Sequence, residues 1–117
     1  MLKLRAIDED GLEAAADLLT KGFPSRSRAF WLQGLRRLAA YNRRTGVPSL
    51  GTFLMADDRP VGILLTIVRR DRQTGRKRVN LSSWYVEEAH RWSAVRLVMA
   101  AVADKEAIYT DLTPTET

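Results

Sequence analysis

Between Gly51 and Val86, three apolar runs are separated by two clusters of turn residues, and few folds accommodate that pattern. Gly51-Thr52-Phe53-Leu54-Met55-Ala56 is strand-like, and Asp57-Asp58-Arg59-Pro60 is turn chemistry. Val61 to Val68 is rich enough in Val, Ile and Leu for a strand buried on both faces. Arg69 to Arg78 carries Gln73-Thr74-Gly75, the tip of a second hairpin, and Val79 to Val86 returns as the next strand. Short turns force each strand antiparallel to the one before it, so the segment predicts a three-stranded meander.

The flanking sequence supplies helices. Leu2-Lys3-Leu4-Arg5-Ala6-Ile7 alternates apolar and basic residues, the pattern of a half-buried strand. Asp8 or Asp10 can cap the helix that follows, whose stripe is Leu12, Ala15, Ala16 and Leu19. Gly22 and Pro24 punctuate its end. Ser25 or Ser27 can cap a second helix running to about Tyr41, with Phe30 or Trp31, Leu35, Leu38 and Ala39 on its apolar face. After the meander, Trp92, Val95, Val98, Met99 and Val102 mark a third helix, and Ala107-Ile108-Tyr109-Thr110 a short last strand. The predicted order is β-α-α-β-β-β-α-β, an α/β (α+β) arrangement of a mixed, mostly antiparallel sheet flanked by helices. With 117 residues the chain is expected to form one domain over residues 1–117.

Several chemistries are excluded by what is missing. No apolar run approaches the roughly 20 residues that span a bilayer, and the N-terminus lacks a signal-peptide layout. Both point to a cytoplasmic location and no membrane partner. No cysteine and one histidine, His90, argue against a metal site. Neither a phosphate-binding Gly-x-x-x-x-Gly-Lys-Ser/Thr loop nor a Gly-x-Ser-x-Gly elbow is present. The net charge is +5, with six arginines between Arg26 and Arg44 and a second basic cluster from Arg69 to Arg78. Such density attracts polyanions. Single-strand nucleic-acid binders interleave aromatic residues with their basic ones, and the aromatic residues here are not interleaved in that way, so a solvated basic surface is preferred to a nucleic-acid partner.

The stretch Asn80 to Met99 reads as strand, loop and helix: Trp84-Tyr85-Val86 closes the strand, Glu87-Glu88-Ala89-His90 turns, and Arg91-Trp92-Ser93-Ala94-Val95-Arg96 enters the helix. This order and spacing resemble the acyl-CoA-binding core of the GCN5-related N-acetyltransferase family. That family's loop follows the pattern Gln/Arg-x-x-Gly-x-Gly/Ala, and its backbone N–H groups hold the pyrophosphate of acetyl-CoA. The matching positions are Arg91, Ala94 and Arg96, so the first is kept and both small-residue positions have changed. The resemblance covers essentially the whole chain and the first two-thirds of the family's domain. The chain stops at Leu112-Thr113-Pro114-Thr115-Glu116-Thr117, where the family's next helix would begin, which implies a domain truncated at its C-terminus.

The resemblance implies an N-acetyltransferase that moves an acetyl group from acetyl-CoA to an unidentified primary amine. It implies main-chain contacts to the cofactor-type substrate from Trp84, Tyr85 and Val86. It also implies a pyrophosphate site formed by Arg91, Trp92, Ser93, Ala94, Val95 and Arg96, where a helix N-terminus favours an anion. Arg96 can swing outward to pair with phosphate. Trp92 either covers the cofactor or packs, and the plain alternative makes Trp92 and Val95 core residues of an ordinary helix. Glu87 and Glu88, at the strand's end, are candidates for the base that takes the amine's proton; otherwise they are solvated acids offsetting nearby arginines. A second functional reading is a binding or regulatory module that keeps the fold without the transfer, dimerising through an open sheet edge.

Overall fold

The computed structural model describes residues 1–110, and the stretch in which the truncation was expected, residues 112–117, lies outside them. Strand β1 spans Leu2–Ala6, and Asp8 caps a short 3-10 turn, Glu9–Gly11, that leads into helix α1, Leu12–Gly22. Helix α2 spans Arg28–Thr45. Strands β2 (Gly51–Ala56), β3 (Arg59–Arg70) and β4 (Lys77–Val86) form the predicted meander. A 3-10 segment, Glu88–Ser93, leads into helix α3, Ala94–Ala101, and strand β5 is Ile108–Thr110. The sheet order is β1-β2-β3-β4-β5, antiparallel except for the parallel β4–β5 pair.

Local chemistry accounts for the helix ends. Of the two serines able to cap α2, Ser27 does so, its Oγ accepting the N–H of Phe30 at 3.0 Å. The helix runs one turn beyond Tyr41, to the glycine that can end it: Gly46 is left-handed at φ 77°.

The sheet separates two apolar layers. Phe53, Met55, Ile63 and Leu65 face α1 and α2, where Ala15, Leu19, Leu35 and Ala39 are buried against them. Leu54, Leu64 and Val86 face the opposite way, under Leu97 of α3. Period-two alternation produces this division, with one break where Leu54 pairs with Gly62 but Met55 pairs with Pro60, so that Val61 is bulged. Residues Val61–Leu65 of β3 are all buried, as expected for a strand covered on both faces. At Gly62 the side chains of the neighbouring strands close over the backbone: a Cβ there would lie 3.1 Å from both Leu54 Cβ and Val86 Cγ2, and 3.4 Å from Leu97 Cδ1 of α3.

Two expectations are corrected. Strand β1 is mostly exposed rather than half-buried, because it is an edge strand paired on one side only, to β2. The stripe of Trp92, in the 3-10 segment, and Val95 and Met99, on α3, faces outward, with Trp92 75% and Val95 62% exposed, while Leu97 is fully buried. The reading of Trp92 and Val95 as core residues therefore does not hold. α3 is apolar almost all round, so residue spacing does not choose its inner face. In the fold Ala94, Leu97 and Ala101 are the residues presented to the sheet. Among the described residues no helix is long and apolar enough to cross a membrane.

Because Leu97 alone anchors α3 by full burial, Leu97→Ala is expected to lower stability by about 3 kcal/mol. Val95→Ala should change it by no more than about 0.5 kcal/mol. Urea unfolding of both variants checks the contrast, and equal losses would contradict the orientation of the helix.

Candidate functional site

Three features converge at the C-terminal end of β4. The first is a free sheet edge. Parallel pairing with β5 joins Arg78 to Ile108, Val79 to Tyr109 and Asn80 to Thr110, and no partner strand among the described residues continues along residues 81–86. On its other side β4 carries a bulge, because Leu64 pairs with Trp84 while Thr66 pairs with Leu81. The extra residue falls at Ser82-Ser83 and bends the strand. Unpaired main-chain N–H and C=O groups along such an edge accept an extended ligand as they would another strand.

The second feature is the turn into α3. Arg91 donates from Nε to the carbonyl of Val86 at 3.2 Å, folding the 3-10 segment back onto the end of the strand. His90 N–H is bonded to Glu87 O, and the Ala94 N–H to Arg91 O. Ser93 precedes the helix, and its hydroxyl is buried without a hydrogen-bond partner among the described residues. Arg91, Trp92 and Arg96 are all exposed around this helix start. The arrangement offers an anion the partial positive charge of α3 and two guanidinium groups.

The third is the brace from α1. Tyr85 lies against Gly22 so closely that a Cβ there would come within 2.3 Å of the ring's Cγ. Lys21 Nζ is 3.0 Å from Glu87 Oε2, and Arg59 Nη1 is 3.1 Å from both carboxylate oxygens of Glu87. The Glu87 side chain is only 14% exposed. Burial on its own would raise its pKa, but the hydrogen bonds and charges of Lys21 and Arg59 outweigh burial and hold the carboxyl below its ordinary range.

The predicted residues thus divide. Val86, Arg91, Ser93, Ala94, Val95 and Arg96 gather at the start of α3, with Trp92 beside them. Trp84 and Val86 face the α3 layer and Tyr85 faces α1. Glu87 turns away to Lys21 and Arg59, whereas Glu88 is exposed on the first turn of the 3-10 segment. Sequence reasoning missed Lys21, Gly22 and Arg59, whose roles depend on partners far along the chain. It also missed a cavity of about 210 Å³ between α2 and the sheet, lined by Trp31, Leu35, Leu65, Ser82 and Ser83. The Trp31 indole N–H is buried there without a partner among the described residues.

No protein-family model and no curated protein sequence matches the chain. Solved structures do. The aminoglycoside N-acetyltransferase AAC(6')-Iy, in complex with the bisubstrate analogue CoA-S-monomethyl-acetylneamine, matches with a TM-score of 0.69 at 17% identity, over 99% of this chain and 80% of that one. A ribosomal-protein-alanine N-acetyltransferase from Brucella melitensis biovar Abortus 2308 matches with a TM-score of 0.65 at 16% identity, over 97% and 82%. An acetyltransferase from Trypanosoma brucei matches with a TM-score of 0.65 at 18% identity, over 99% and 84%. The fold is that of the GCN5-related N-acetyltransferases.

The depressed pKa of Glu87 makes a signed prediction. Its ion pairs stabilise the fold above the unfolded-state pKa of about 4.3, and that stability is lost as pH falls through the lower folded value. Glu87→Gln should therefore cost about 1 kcal/mol near pH 7, with the difference from the parent shrinking below about pH 5. Thermal melts of both proteins across that range check it, and a gap that widens on acidification would reverse the sign.

Proposed function

We propose that the chain binds acetyl-CoA and transfers its acetyl group to a primary amine. The observation that carries this reading is the second half of β4, unpaired on one side among the described residues, running directly into the N-terminus of α3. A pantetheine arm can pair with main-chain groups of Trp84, Tyr85 and Val86, while a pyrophosphate meets the helix start. Support also comes from a structural neighbour described as a complex with a CoA-based bisubstrate analogue.

Each residue then has a defined task. Arg91 holds the turn against Val86 through Nε, which leaves its Nη groups for phosphate. Arg96, exposed one turn into the helix, adds a second cation. Transfer requires an uncharged amine; its nitrogen attacks the thioester carbonyl, the C–S bond breaks, the amine's proton leaves to a base and the sulfur takes one up. Lys21 and Arg59 leave Glu87 little affinity for that proton, so we assign Glu87 to bracing the loop. Glu88, exposed nearby, is the acid we propose as base. We assign the acceptor to the α2 side of the sheet, where the Trp31 N–H and the Ser82-Ser83 bulge line the cavity.

One observation favours the second reading, a fold that binds without transferring. The Ala94 N–H already donates to Arg91 O, so a phosphate must be met by amides deeper in the helix or the turn must open.

Calorimetric titration with acetyl-CoA separates the readings. Micromolar binding is expected, weakened about tenfold by Arg91→Ala or Arg96→Ala through loss of a charge-assisted hydrogen bond. Binding without transfer to any of a panel of primary amines selects the second reading. A well-folded sample that takes up no acetyl-CoA at millimolar concentration rejects the acetyl-CoA site and leaves a module that keeps the fold without the transfer.

A further inference from the structure

The residues from Arg69 to Arg78 hold six cations against one acid, an excess of five that equals the net charge of the whole chain. In the fold they form the projecting end of the β3–β4 hairpin. Asp71 shapes the tip by accepting the N–H groups of Gln73 and Thr74 and pairing with Arg78. Lys77 pairs with Asp104. Arg69, Arg70, Arg72 and Arg76 make no ion pair among the described residues and are exposed. This end lies beyond the C-terminus of α3, whereas the proposed acetyl-CoA site is at its N-terminus, about 12 Å away along eight helical residues.

Beside the hairpin, between the α2–β2 connection and the end of α3, runs a groove of about 840 Å³. Tyr41 from α2 and Tyr109 from β5 line it together with Arg69, Arg70 and Lys77. The Arg69 guanidinium lies 5.9 Å from the centre of the Tyr41 ring. In sequence no aromatic residue interrupts the basic run from Arg69 to Arg78, which argued against a nucleic acid; the fold brings Tyr41 and Tyr109 beside that run in space. None of the large exposed apolar side chains lies on this hairpin, so it has nothing to insert into a lipid surface.

We propose that the hairpin and its groove bind single-stranded nucleic acid, with arginines on the phosphates and the tyrosines offering stacking surfaces to bases. The reading goes beyond acetyl transfer and does not depend on it. The probe is a fluorescently labelled oligodeoxythymidylate of about 16 nucleotides, followed by anisotropy. With about four phosphates neutralised, affinity should fall about fiftyfold between 50 and 200 mM salt. Arg72→Glu combined with Arg76→Glu should weaken binding at least tenfold and flatten the salt dependence. Tyr41→Ala should weaken it about tenfold and leave the salt dependence unchanged. Thermal melts confirm that each variant is folded. The unmodified protein supplies an independent arm: the single strand should compete better than heparin or anionic phosphatidylserine vesicles at equal charge. Equal competition by heparin or vesicles overturns the proposal in favour of a bare cationic surface. So does the absence of binding at 50 mM salt, or a folded Tyr41→Ala protein that binds as the parent does.

Discussion

A parallel neighbour for β4 cannot be reached by a tight turn, and that constraint organises the molecule. The chain leaves the end of β4, crosses the sheet as α3, and returns as β5 beside the strand it left. The crossover puts α3 on the face opposite α1 and α2, and it fixes the N-terminus of α3 at the end of β4. Among the described residues β5 pairs with three residues of β4, and beyond Asn80 no described strand lies on that side. An anion-favouring helix start at the end of β4 and a parallel neighbour beside its beginning are two results of one topological requirement.

The length of α3 matters as much as its position. Eight residues cover the sheet under Leu97 but stop short of the β3–β4 hairpin, and among the described residues the groove there is left open. Close packing above Gly62 and open space above the hairpin therefore belong to the same layer. The two halves differ chemically too. Near Gly62 the layer is closed by aliphatic side chains, whereas at the hairpin arginine and tyrosine rim a space large enough for a ligand.

Much of this was legible in the residues. Turn chemistry at Asp57–Pro60 and Gln73–Gly75 is local, so the meander could be read directly, as could a serine cap before α2. The strand–turn–helix around Arg91 was legible because its spacing is short. What depended on distant parts of the chain was not. Glu87 meets Lys21 and Arg59, which lie 66 and 28 positions away, and nothing in its neighbourhood announces them. The inner face of α3 was hidden because its apolar residues surround the helix. Tyr41 and Tyr109 reach one groove only once α2, the hairpin and β5 have been assembled.

The contact between Gly22 and Tyr85 has a consequence for how such a chain can diverge. The ring occupies the volume that any side chain at position 22 would need. Neither position can drift alone: a larger residue at 22 evicts the ring, and a small residue at 85 opens a void between α1 and the strand beside the candidate site. The accessible route is a paired exchange, small for large in both directions, with a less compact intermediate on the way. Two residues far apart in the sequence thus behave as one heritable unit, and relatives of this chain are expected to differ there in tandem.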